Sequence, residues 1–133
     1  MKNVVEVLEK QQGIRPFGSA TLEEIEIAET ELGLAFSKEY KDYLLAYGAA
    51  SIYGHEFTGI CNSTRLNVVD VTKTQRQRQK DNNLPSNLYV IEELHIDDVV
   101  IWQDEVGSIY QTVFNKPAEK KYNSLVEYIE SED

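Results

Sequence analysis

The stretch from Ala20 to Ile60, ATLEEIEIAETELGLAFSKEYKDYLLAYGAASIYGHEFTGI, constrains the fold more than any other, because its local signals state where helices start and stop. Thr21 with Glu24 three residues on is a capping box, which satisfies two backbone donors that a first helical turn would otherwise orphan. Leu22, Ile25, Ala28 or Glu29, and Leu32 then share one face at helical spacing. Glu23, Glu24 and Glu26 sit in the positively polarised first turn, where carboxylates are favoured. Gly33 takes the left-handed conformation that ends a helix, and Leu34 and Phe36 lead to a second helix capped by Ser37. Its buried stripe is Tyr40, Tyr43, Leu44 and Tyr47, and Gly48 closes it. Ala49, Ala50 and Gly54 predict a tight connection into a strand from His55 to Ile60.

Outside this block the signals are sparser. Val4, Val5 and Leu8 recur at helical spacing, and Gly13 with Pro16 ends a short first helix that packs as a lid on the core. Residues Val68 to Asn82 begin like a strand and turn strongly polar, and the spacing predicts a helix from Asp70 to Lys80. After Pro85 come three strand-like runs, Leu88 to Glu92, Val99 to Gln103 and Ser108 to Phe114, with Gly107 turning the last two into an antiparallel meander. Pro117 and a charged loop precede a C-terminal helix carrying Leu125, Val126 and Ile129, capped by Asn123 or Ser124. The order predicts an α+β fold: one domain over residues 1–133, with N-terminal helices, a mainly antiparallel β-sheet and a C-terminal helix.

Composition bounds the chemistry. At 133 residues, 41% hydrophobic and 27% charged, the chain is long enough to build a core without metals or disulfides. Cys61 is the sole cysteine, which excludes an internal disulfide and a cysteine-rich zinc site and fits a reducing compartment. Glu6 and Glu9 interrupt the first apolar stretch and no segment reaches the roughly 20 apolar residues of a membrane span, so a cytoplasmic protein is expected. The formal charge of −10 repels nucleic-acid phosphates and anionic membranes and favours a cationic partner, although the same charge also serves solubility.

Each candidate catalytic or metal constellation is incomplete. His55-Glu56 lacks the second His of a zinc-protease helix. His95 with Asp97 and Asp98 lies in a short polar loop with no identifiable third ligand, which reads as a solvated loop. Asp104 and Glu105, with Glu92 and Glu93 one strand away, resemble a glycosidase carboxylate pair in residue type alone. A nucleophile elbow and a Gly-rich phosphate loop are both absent from the sequence. Thr72, Lys73, Arg76, Arg78 and Lys80 form the basic cluster of an acidic chain, with Lys73, Arg76 and Lys80 on one face, and they read as partners of surrounding surface carboxylates. Cys61 reads as a small buried residue. No catalytic residue, metal or cofactor is therefore expected. Eight tyrosines and Trp102 exceed what one small core needs, and Tyr53, Tyr89 and Tyr110 are available as interface anchors.

The Ala20 to Ile60 block resembles the opening of the SUKH superfamily, through the acidic helix around Glu24 and Ile25, the Leu32-Gly33 stop, the helix bearing Tyr40 and Leu44, the Gly48 stop and the Gly54 to Ile60 segment. Val68-Val69, Thr72 and Arg76 look like the central segment of that family, Asp97 to Gln103 like its strand after an acidic turn, and Ser124 to Ile129 like its closing helix. Ser37 stands where many members carry proline, and both residues suit a helix N-terminus. The resemblance implies an immunity protein that occludes the active site of a cognate bacterial toxin. A cationic nuclease is the natural target, because its cleft attracts phosphate and an acidic inhibitor exploits the same field. A regulatory adaptor or scaffold is the other class the resemblance implies. The acids crowded into the predicted strand connections, Glu92, Glu93, Asp97, Asp98, Asp104 and Glu105, are the expected partner-binding residues, with Tyr89 or Trp102 as aromatic anchor.

Overall fold

The computed structural model describes residues 3–11, 13–52, 54–113 and 116–131. In chain order the elements are α1 (Val4–Glu9), β1 (Arg15–Pro16), α2 (Leu22–Leu32), α3 (Lys38–Tyr47), β2 (Ala50–Ile52), β3 (His55–Phe57), α4 (Val68–Arg78), β4 (Tyr89–Glu93), β5 (Val100–Gln103), β6 (Ile109–Thr112), β7 (Glu119–Tyr122) and α5 (Leu125–Ser131). This is an α+β fold with two antiparallel sheets, β1-β2-β3 and β4-β5-β6-β7.

The capping chemistry works as its residues dictate. Thr21 and Glu24 form the reciprocal box at the start of α2, Gly33 ends it at φ 68°, and the Ser37 hydroxyl accepts from the Tyr40 amide. Gly48 is required for a second reason besides its φ of 72°: a Cβ there would overlap the Gly18 carbonyl oxygen. Ser124 caps α5, accepting from the Glu127 amide at 3.0 Å. The amides of Leu125 and Val126 donate to the Glu39 carboxylate at 2.7 and 3.1 Å, so a distant residue on α3 completes the cap.

The helix after Leu66 starts two residues before the expected Asp70, because the Asn67 side chain accepts from Val69 and Asp70 and holds Val68-Val69 in the first turn. The predicted strand from His55 to Ile60 is shorter, ending at Phe57, and it pairs with β2 in a hairpin that sequence spacing did not reveal. The charged loop after Pro117 contains β7, whose exposed Lys120 and Lys121 discourage pairing with another chain at this sheet edge. The far end of the third predicted strand, Phe114, lies outside the described residues, as does Tyr53. On α2, Leu22 is exposed while Ile25, Ala28 and Leu32 are buried, since the first helical residue lies beyond the contact with the core.

Two apolar clusters sandwich the larger sheet. Tyr89, Ile91, Ile101 and Ile109 join residues of α1, α2, α3 and α5 in the main core, while Leu88, Val90, Val100 and Trp102 pack with Val71 of α4. Tyrosines hold the main core by both ring and hydroxyl. Tyr40 and Tyr43 stack at 5.4 Å, Tyr43 donates to the Thr58 carbonyl and accepts from the Ala50 amide, and Tyr40 shares a 2.9 Å hydrogen bond with the Thr58 hydroxyl. Tyr47 is half-buried, at the margin of this stripe.

Candidate partner-binding site

A register shift between Val90 and Glu92 places an extra residue in β4 opposite β5. Such a bulge breaks the alternation of faces, so that Ile91 joins the main core and Glu92 turns to the same side. Glu92, 2% exposed, accepts from Tyr128 Oη of α5 at 2.6 Å, His55 Nδ1 of β3 at 2.9 Å and the Glu56 amide at 3.3 Å. An ionised carboxylate can only accept, so His55 presents Nδ1–H to it. Glu93 falls on the opposite side, where Gln75 of α4 donates to it.

Several expected contact residues are therefore internal. Glu92 ties α5 to two strands, and its burial leaves it little surface to offer a partner. Trp102 is fully buried, with its indole nitrogen donating to Thr112 Oγ1 at 2.9 Å. Tyr89 is equally buried: its hydroxyl accepts from the Ser37 amide and donates to Gln103 Oε1. Neither ring can anchor a partner. Asp104 is also buried, because Oδ1 accepts the Gly107 and Ser108 amides at 3.0 and 2.9 Å and closes the β5–β6 turn. Tyr110 of β6 is half-buried and donates to Asp104, which aligns it with the turn instead of with solvent.

Glu93, Asp97, Asp98 and Glu105 remain at or near the surface, but they do not form one patch. Asp97 and Asp98 precede β5 and Glu105 follows it, so about 13 Å of four-residue strand separates the two connections. At the first end, Leu94–Val99 is closed by a 3.1 Å bond from the Leu94 amide to the Val99 carbonyl and a 3.0 Å bond from the Val99 amide to the Ile96 carbonyl. His95, Asp97 and Asp98 all have positive φ, at 59°, 53° and 54°. Histidine and aspartate enter that region more readily than most residues, yet three in four positions is a costly backbone. It presents Ile96, 68% exposed, between His95 and the exposed pair Asp97-Asp98.

This loop borders an open cleft of about 720 Å³ lined by residues of β1 to β4, including Arg15, His55, Glu56, Glu92, Glu93 and His95. On its rim Arg65 pairs with Glu56 through two hydrogen bonds of 2.6 and 2.8 Å, and this guanidinium holds the Glu56 carboxyl below the usual carboxylate range. Asp98 also lines a hollow of about 500 Å³ with Arg78 and Asp81. At the other end of the sheet, Glu105 stands beside Val106, which is 82% exposed.

The basic cluster takes its expected role of pairing with a surface carboxylate at Lys73, but not at Arg76 or Thr72. Arg76 donates to the Leu32 and Ser86 carbonyls, bonding the C-terminus of α2 to the loop before β4, and burial pushes its pKa down. Lys73 approaches Glu31 at 3.9 Å, and Thr72 is buried and donates nothing to a surface face: it accepts from the Val90 amide. Cys61 is half-buried. Among the described residues no group of three His, Cys, Asp or Glu side chains is arranged to hold a metal ion, and no helix is long and apolar enough to cross a membrane.

Helices packed around two antiparallel sheets, with carboxylates and single apolar side chains displayed on the strand connections, form an acidic α+β fold. The chain belongs to the SUKH family: the SUKH_5 model, described as SMI1-KNR4 cell-wall, matches residues 1–132. No curated protein matches closely enough to stand as a relative. The family is associated with immunity proteins of toxin systems, whose members are generally non-catalytic.

Proposed function

We propose that this chain is an immunity protein that binds a cognate bacterial toxin in the cytoplasm and occludes its active site, the toxin being a cationic nuclease domain. The observation that carries the reading is the Leu94–Val99 loop, whose left-handed backbone exposes Ile96 immediately before Asp97 and Asp98, next to a cleft that His95 lines. An apolar tip followed by two acids fits a basic cleft: the acids steer the encounter and set orientation, and the apolar side chain is desolvated on docking. Family membership and a net charge of −10 support the same conclusion. Glu93, Asp97 and Asp98 are the proposed contact acids, with Ile96 taking the anchoring role first assigned to Tyr89 or Trp102. Glu105 with Val106 offers a separate contact at the far end of the sheet.

Co-expression with a toxin, should one be encoded beside this gene, tests the reading. Protection is expected from the native chain and is lost on combined Asp97→Lys and Asp98→Lys substitution; protection unchanged by that pair removes the loop from the interface. The family description as a cell-wall group favours a second reading, a regulatory adaptor that binds a non-toxic cellular protein. A toxin reading frame next to the gene separates the two, because an adaptor has no need of one.

A further inference from the structure

Away from the sheet connections, α2 carries a feature that the core does not use. Glu24, Ile27, Ala28 and Glu31 recur at spacings of three, four and seven along one flank of the helix, adjacent to its buried face of Ile25, Ala28 and Leu32. Ile27 is 51% exposed. That flank and the first turn of α4 enclose a groove of about 300 Å³ whose walls are Ile27, Ala28, Ile60 and Val69, with Glu24, Glu31 and Asp70 around them.

The charges specify the occupant. Three carboxylates and no cationic side chain line the groove, and the exposed Glu23 and Glu26 add to the same potential. Two of the first-turn amides of α4 that could otherwise attract an anion already donate to Asn67 Oδ1. Glu24 uses one oxygen in the capping box, and Glu31 meets Lys73 only at 3.9 Å. A second copy of this chain would set carboxylates against carboxylates. An aliphatic floor with acids at its margin matches a lysine or arginine side chain, whose stem buries on apolar surface while its head stays among carboxylates.

We propose that the α2–α4 groove is a docking surface for a basic segment of a partner protein, with a lysine or arginine side chain laid across Ile27 and Val69 and its cation among Glu24, Glu31 and Asp70. The proposal stands apart from the toxin reading, since an adaptor would use the surface equally. The test is methyl NMR of the full chain titrated with an acetylated, amidated (Ala-Ala-Lys-Ala-Ala)3 peptide and with its glutamate counterpart. The lysine peptide is expected to shift Ile27, Ala28, Ile60 and Val69, and the glutamate peptide to shift none of them. Combined Glu31→Gln and Asp70→Asn substitution should weaken the lysine peptide about fivefold, and Ile27→Gln should weaken it without touching a charge. Shifts centred on Ile96 or Val106, equal binding by both variants, no shift at millimolar peptide, or self-association instead of peptide binding would each overturn it. Charge reversal at Asp97 and Asp98 should leave these methyl shifts unchanged, which keeps this result separate from the co-expression test.

Discussion

Glu92 is stable as a buried acid because three donors from two elements converge on it: Tyr128 of α5, and His55 and the Glu56 amide of β3. Removing one member of such a cluster costs more than the bonds are worth in water, since its partners were desolvated to meet it. Glu92→Ala is expected to lower unfolding free energy by about 3 kcal/mol in urea titrations. Its neighbour in sequence, Glu93, should be far more tolerant. The phenols give a second residue-scale expectation. Burial raises the pKa of Tyr40, Tyr43 and Tyr89 well above the usual phenol value, so these three stay neutral in the folded chain. The unfolded chain ionises them near pH 10. The stability they contribute is therefore present below that pH and is lost as pH rises toward their folded values. Ultraviolet titration should show Tyr40, Tyr43 and Tyr89 ionising only in the unfolding transition. Early ionisation of all of them would contradict their burial.

At the scale of elements, α5 depends on a residue 86 positions away in the chain. With seven residues it is too short to persist by itself, and it is held by burying Leu125, Val126, Tyr128 and Ile129 and by Glu39 on its first amides. Glu39→Ala is expected to cost about 1–3 kcal/mol and to raise hydrogen exchange first over Leu125–Ser131. Uniformly faster exchange along the chain would mean that Glu39 stabilises the fold globally instead of fixing this helix. The starts of α2 and α3 were legible because Thr21, Glu24 and Ser37 act on backbone within three residues. The β4 bulge was not, because no local signal distinguishes Ile91 from its neighbours in a run that is buried on both faces. The faces of Glu92 and Glu93 followed from that bulge. β7 was missed for a related reason, since its Lys-rich exposed edge has the composition of a loop and becomes a strand by pairing with β6.

For the whole molecule, net charge acts beyond any single contact. A charge of −10 should speed encounter with a cationic partner, and the association rate is expected to fall roughly tenfold or more from low salt to a few hundred millimolar. Stopped-flow mixing at several salt concentrations reads this directly, with dissociation changing far less. An association rate indifferent to salt would argue against a cationic partner. Composition, caps and glycine stops by themselves determined an acidic α+β chain and the places where most helices begin and end, because those forces act over a few residues. Which acids reach solvent was decided by tertiary structure. Period and charge place Glu92, Glu93, Asp104 and Glu105 alike in strand connections, but desolvation is tolerable only where donors converge, and those donors come from β3, α5 and the β5–β6 turn. Folding thus took Glu92 and Asp104 inward, left Asp97 and Asp98 at one end of β5 and Glu105 at the other, and so divided what the sequence presents as one acidic surface.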